Sequence, residues 1–112
     1  MKTASLLKYI EYKEDKPAIN VLFETESTKE IRIAMHKGQI MKKHQTPFPI
    51  VVELFEGELD FGVESDLYHL KRGDLLALEG GVPHNLFAKS DCIVRLTLSK
   101  LDTVKRVEKV AD

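Results

Sequence analysis

Alternation punctuated by glycine is the feature that most restricts this chain. Apolar side chains recur at every second residue in Ile31-Arg32-Ile33-Ala34-Met35, in Leu59-Asp60-Phe61-Gly62-Val63 and in Val94-Arg95-Leu96-Thr97-Leu98. Successive side chains of a strand point to opposite faces, so this period builds a sheet with one buried side. Ile50-Val51-Val52-Glu53-Leu54-Phe55 and Leu75-Leu76-Ala77-Leu78 are apolar in both registers. They read as central strands covered on both faces, or as a surface used in dimerisation. Turn signals separate the runs: Lys37-Gly38, Glu56-Gly57, Glu64-Ser65-Asp66, Arg72-Gly73-Asp74, Gly80-Gly81 and Ser90-Asp91. Their spacing, roughly 8–12 residues, predicts an all-β antiparallel sandwich or barrel. Pro17, Pro47, Pro49 and Pro83 fall at strand starts or bends, where a missing N–H does least harm.

With 112 residues the chain makes one domain, 1–112, with a barrel core over about 17–100 and a flexible or helical tail over 101–112. At the N-terminal end, Leu6, Leu7 and Ile10 after Ser5 fit one helical turn or an edge strand equally well. Beyond Lys100, Leu101, Val104, Val107 and Val110 recur every third residue among charges, which fits a short helix or an extended tail. The net charge of −1, with Lys and Arg spread along the chain, leaves no footprint for nucleic acid or an anionic membrane. No apolar run approaches the roughly 20 residues that span a bilayer. The N-terminus lacks the apolar stretch of a signal peptide. One cysteine, Cys92, cannot form an internal disulfide, so a reduced cytoplasmic setting is expected. Cys92 itself reads as a small buried or half-buried residue with no base beside it in sequence.

Two glycine-bounded segments each deliver one histidine. The first runs from Gly38 through His44 to Gly57, and the second from Gly73 through Gly81 to His84. This spacing resembles the paired motifs of the cupin superfamily, over about residues 31–98. The first motif asks for a glycine, five residues, His-x-His, a glutamate and a closing glycine. Gly38, His44 and Gly57 fit it, while Thr46 stands for the second histidine and Ile50 for the glutamate. In the second motif Gly73, Gly81 and His84 fit, while Glu79 replaces a proline and Ala88 an asparagine. The resemblance implies an antiparallel double-stranded β-helix, the jelly-roll cupin barrel, with His44 and His84 pointing inward from neighbouring strands. It also implies a homodimer, for which the apolar outer positions Val51 and Phe55 are suited. Glycine at these turns and a proline before His84 support the match physically, because positive φ favours glycine and Pro83 restricts the backbone ahead of that side chain.

Zinc or iron at a functional site takes at least three protein ligands, and this motif retains two. Glu53 alternates away from Ile50's face, His69 precedes a core leucine and should point outward, His36 lies across the Gly38 turn, and Glu79 approaches the barrel mouth. The expected interior is Met35, Met41, Ile50, Val52, Leu54, Phe61 and Leu86. The site residues expected for a small-molecule ligand are Lys42, His44, Thr46, Ile50, His84 and Leu86, with Lys42 on His44's face if that strand is regular. Two functions follow. The first is a small-molecule binding or sensing barrel with a degenerate metal site; no helix-turn-helix is encoded, so a regulatory output would pass to a partner protein. The alternative is a metal-dependent cupin enzyme of dioxygenase, isomerase or lyase type, with zinc, iron, nickel or manganese at His44 and His84. Metal-free epimerases of the wider class pair a histidine with a tyrosine, a role open here to Tyr68.

Overall fold

The computed structural model describes residues 1–101 and 110–111. Nine strands are found among them: β1 Ala18–Glu24, β2 Thr28–Met35, β3 Ile40–His44, β4 Ile50–Glu56, β5 Glu58–Val63, β6 Asp66–Lys71, β7 Leu75–Leu78, β8 His84–Ala88 and β9 Cys92–Ser99. They form two antiparallel sheets, one of five strands in the order β1-β2-β9-β4-β7 and one of four in the order β3-β8-β5-β6. Among the described residues no helix is long and apolar enough to cross a membrane. Most of the carboxy-terminal tail lies outside the described residues. Two of its residues, Val110 and Ala111, belong to the core.

The alternating residues do what their period requires. Ile31, Ile33 and Met35 of β2, Ile50, Val52 and Leu54 of β4, and Val94, Leu96 and Leu98 of β9 line one inner face. Met41, Leu59, Phe61 and Leu86 come from the opposing sheet. All seven residues expected in the interior are buried there. Full burial of a side chain such as Phe61 or Leu54 stabilises the fold by about 1.5–3 kcal/mol. The two sheets thus share one core.

The four glycines of the paired motif, Gly38, Gly57, Gly73 and Gly81, all have φ between 81° and 95°. At Gly57 there is a second restriction, because an added Cβ would lie 2.3 Å from the Asp91 carbonyl oxygen. This turn therefore excludes a side chain on both conformational and steric grounds.

Several elements differ from the alternation alone. β2 is buried on both faces from Ile31 to Met35. The second face is covered by the N-terminal segment, which forms neither a helical turn nor a strand. The Arg32 guanidinium donates to the carbonyls of Ser5, Leu6, Lys8 and Tyr9 and to Asn20 Oδ1, and so fastens that segment across the sheet. Among the described residues the run Leu75–Leu78 is an edge strand, paired with β4 alone. Leu76 and Leu78 pack inward while Leu75 is 64% exposed. Cys92 is fully buried, its Sγ near the carbonyls of Glu58 and Ser90, and burial pushes its thiol pKa up. That environment suits a packing residue and opposes a reactive thiolate.

Candidate functional site

His44 ends β3 and His84 opens β8, and the two are direct partners in the ladder between those strands. A β-bulge brings them there. Met41 pairs with Leu86 and His44 with His84, so β3 spends one more residue than β8 over the same interval. In a regular strand Met41 and His44, three apart, would face opposite sides. The extra residue resets the alternation and turns both inward. Lys42 and Lys43 are left exposed on the outside. The expectation that Lys42 shares His44's face holds only for a regular strand, and β3 is not regular.

The ring centroids of His44 and His84 lie 4.2 Å apart, with their planes tilted at 59°. Phe61 stacks on His84, at 5.5 Å and 9°. Each imidazole is anchored by the carbonyl two residues before it: His44 Nδ1 lies 2.7 Å from Lys42 O, and His84 Nδ1 lies 2.9 Å from Val82 O. A carbonyl only accepts, so the Nδ1 proton is fixed and Nε2 carries the lone pair in both rings. Burial holds the pKa of both histidines below the usual imidazole value, against the opposing effect of those carbonyls. His84 lowers His44 a little further. The pair is therefore neutral at neutral pH, with a defined tautomer.

These rings sit at one end of a cavity of about 40 Å³. Thr46, Ile50 and Leu86 also line it, as do Met41, Val52 and Phe61. The five-stranded sheet supplies Ile33, Val94, Leu96 and Leu98. These last four were legible as core from their alternation, but nothing local in the sequence tied them to the histidines. The loops that carry Thr46 and lead to His84 are held together. Gly81 N donates to Thr46 O at 2.7 Å, and a Cβ at Gly80 would lie 2.3 Å from Pro47 O, so the two loops touch through backbone.

Other residues singled out by sequence fall elsewhere. Lys42 lines a separate surface hollow with Asp15, Gln39 and Ile40. Glu53 lies on the outer face, where Arg95 bridges it to Glu30 at 2.9 and 2.8 Å. His69 is exposed and bonds Asp60 on the outside of the four-stranded sheet. His36 stacks on Tyr12 and meets Asp91 away from the cavity. Tyr68 is 50% exposed and does not line the cavity, and neither does Glu79.

Solved structures of the same architecture supply the comparison. An RmlC-like cupin protein from Desulfovibrio desulfuricans superimposes with a TM-score of 0.81 at 22% identity, over 88% of this chain and 96% of that one. An uncharacterised conserved protein with a double-stranded β-helix domain from Klebsiella pneumoniae gives 0.77 at 20% identity, over 88% and 89%. The chain has a cupin fold. A cupin superfamily protein from Desulfitobacterium hafniense matches at 0.74 and 13% identity, over 80% of this chain and 83% of that one. No family model and no curated protein matches the sequence.

The cupin fold raises the question of a metal, and the donor set answers it poorly. The Nε2 lone pairs of His44 and His84 are suitable ligands, and carbonyl-anchored Nδ1 atoms are common behind metal-bound imidazoles. Among the described residues, however, no three His, Cys, Asp or Glu side chains converge on one point. Thr46 and Ile50 line the cavity where two further ligands would be needed. Two neutral imidazoles leave a divalent ion with its charge uncompensated in an apolar cavity.

Proposed function

We propose that this cupin-fold chain is a small-molecule binding or sensing barrel whose metal site is degenerate. The observation that carries the reading is the His44–His84 pair: two neutral, tautomerically fixed imidazoles facing a small apolar cavity with no third ligand among the described residues. The surroundings are those of a ligand pocket, with an apolar wall and a few convergent polar groups that set orientation. Thr46 adds a hydroxyl, Phe61 stacks on His84, and the backbone hydrogen bond from Gly81 to Thr46 ties the Thr46 loop to the loop before β8. A signal would leave the barrel through a partner protein.

The test measures metal content of untagged, unchelated protein by elemental mass spectrometry, beside a His44→Ala, His84→Ala double variant. Metal near background in both, with saturable stabilisation of the parent by members of a small-molecule thermal-shift panel, is the expected result. Near-stoichiometric metal in the parent that vanishes in the variant would overturn it. The carbonyl anchoring of both Nδ1 atoms favours that second reading, a metal-dependent enzyme of cupin fold, and zinc, iron, nickel and manganese are the ions to assay.

A further inference from the structure

The chemistry of the cavity wall restricts what can bind there. Both Nδ1–H groups are already given to the Lys42 and Val82 carbonyls, so the imidazoles turn lone pairs toward the interior. Among the described residues no charged side chain lines the cavity, and the β3 bulge puts Lys42 and Lys43 on the outside. Apart from Thr46 the remaining wall is hydrocarbon, thioether and aromatic. A carboxylate or phosphate entering would meet two acceptors and lose its hydration with no cation among the described residues to replace it. A group that donates two hydrogens would meet two acceptors on adjoining strands, whose rings are 4.2 Å apart. The cavity of about 40 Å³ fits roughly three waters, so the inserted portion is a few heavy atoms.

We propose that the cavity is an accepting pocket, selective for small uncharged molecules that carry two donor hydrogens on neighbouring atoms, as a vicinal diol does, and closed to small anions. The proposal rests on reading the barrel as a binding module, and it adds the class of ligand. His44 Nε2 and His84 Nε2 each accept one hydrogen bond, and Phe61, Met41 and Leu86 pack against the carbon skeleton.

The test uses ¹⁵N-labelled full-length protein near neutral pH and three probes of equal heavy-atom number: ethylene glycol, which donates twice; acetone, which only accepts; and acetate, which is anionic. Long-range proton–nitrogen spectra report which ring nitrogen is protonated and whether Nε2 accepts a hydrogen bond. Glycol is expected to shift both Nε2 signals saturably, with acetone about tenfold weaker or more and acetate without effect, as expected for lost hydrogen bonds to the pair. A His44→Phe variant with an intact amide spectrum should lose about tenfold in glycol affinity. Acetone or acetate binding in the cavity as well as glycol would overturn the accepting-pocket proposal and leave the binding module standing. So would a spectrum that places the bare nitrogen at Nδ1. Cavity signals that none of the three probes moves, in a protein that also responds to nothing in the thermal-shift panel, would sink the binding module itself.

Discussion

Single residues hold the site in its working state. Because burial lowers the pKa of His44 and His84, the folded protein resists a protonation that the unfolded chain accepts near the ordinary imidazole value of 6.5. Above that value both states are neutral and the fold keeps its full stability. As pH falls through and below it, the unfolded state binds more protons, so stability declines until the folded-state values are passed. Urea midpoints measured from about pH 8 to about pH 5 should therefore drop, and a His44→Phe, His84→Phe double variant should show a flatter profile over the same range. An equal slope in both proteins would contradict this account. Glycine positions make a second residue-scale contrast. Gly57 and Gly73 share nearly the same φ, 95° and 92°, but a Cβ at Gly57 meets the Asp91 carbonyl while at Gly73 no atom of the described residues lies within 4 Å. Gly73→Ala should cost about 1–2 kcal/mol from the backbone conformation alone. Gly57→Ala should cost distinctly more, and chemical denaturation of the two variants side by side checks the order. The positive φ was legible in the sequence, where both glycines close turns. The collision was not, because Asp91 is far away in the chain.

The bulge in β3 absorbs the one extra residue that would otherwise turn His44 away from the face of Met41. It contains one residue more than β8 over the interval between the Met41–Leu86 and His44–His84 pairs. Deleting Lys43 would convert the bulge to regular strand, with Met41 and His44 still inward and still opposite Leu86 and His84. Such a variant should stay folded and keep the imidazole pair, which its long-range histidine spectrum would show. Deleting Arg95 from β9 removes a residue from a strand paired on both sides, with β2 and β4. That one-residue slip reverses every later side chain in the strand, so Val94 and Leu98 could not both stay buried. Thermal unfolding should therefore show a folded Lys43 deletion and an unfolded Arg95 deletion. Equal tolerance of the two would mean that the bulge does not set the register. Strand positions were readable from period two. The bulge was not, since Met41-Lys42-Lys43-His44 carries no glycine or proline to mark it. β7 shows the same limit, because its apolar run looks like a central strand and only its neighbours make it an edge.

At the scale of the molecule, two sheets close on one core, and what faces outward bears on association. β7 presents an open edge, with Leu75 64% exposed beside the half-buried outer positions Val51 and Phe55. An exposed apolar edge strand invites pairing with another chain. The homodimer proposed from the sequence would cover this edge, so sedimentation velocity should show a dimer that a Leu75→Lys variant shifts toward monomer. A parent that remains monomeric across the concentration range would remove the proposal. The motif resemblance implied that His44 and His84 face inward from neighbouring strands, and the sequence by itself determined the all-β class, the turn positions and the inward set of apolar residues. These depend on local rules: period-two alternation, glycine at positive φ, proline ahead of a strand. Only the tertiary structure decided that Lys42 stands outside, that Arg32 fastens the N-terminal segment through its carbonyls, and that Ile33, Val94, Leu96 and Leu98 join Ile50 and Val52 of the same sheet on the cavity wall. Each of those depends on contacts between segments distant in the chain or on a one-residue register shift, and neither leaves a periodic trace in the order of the residues.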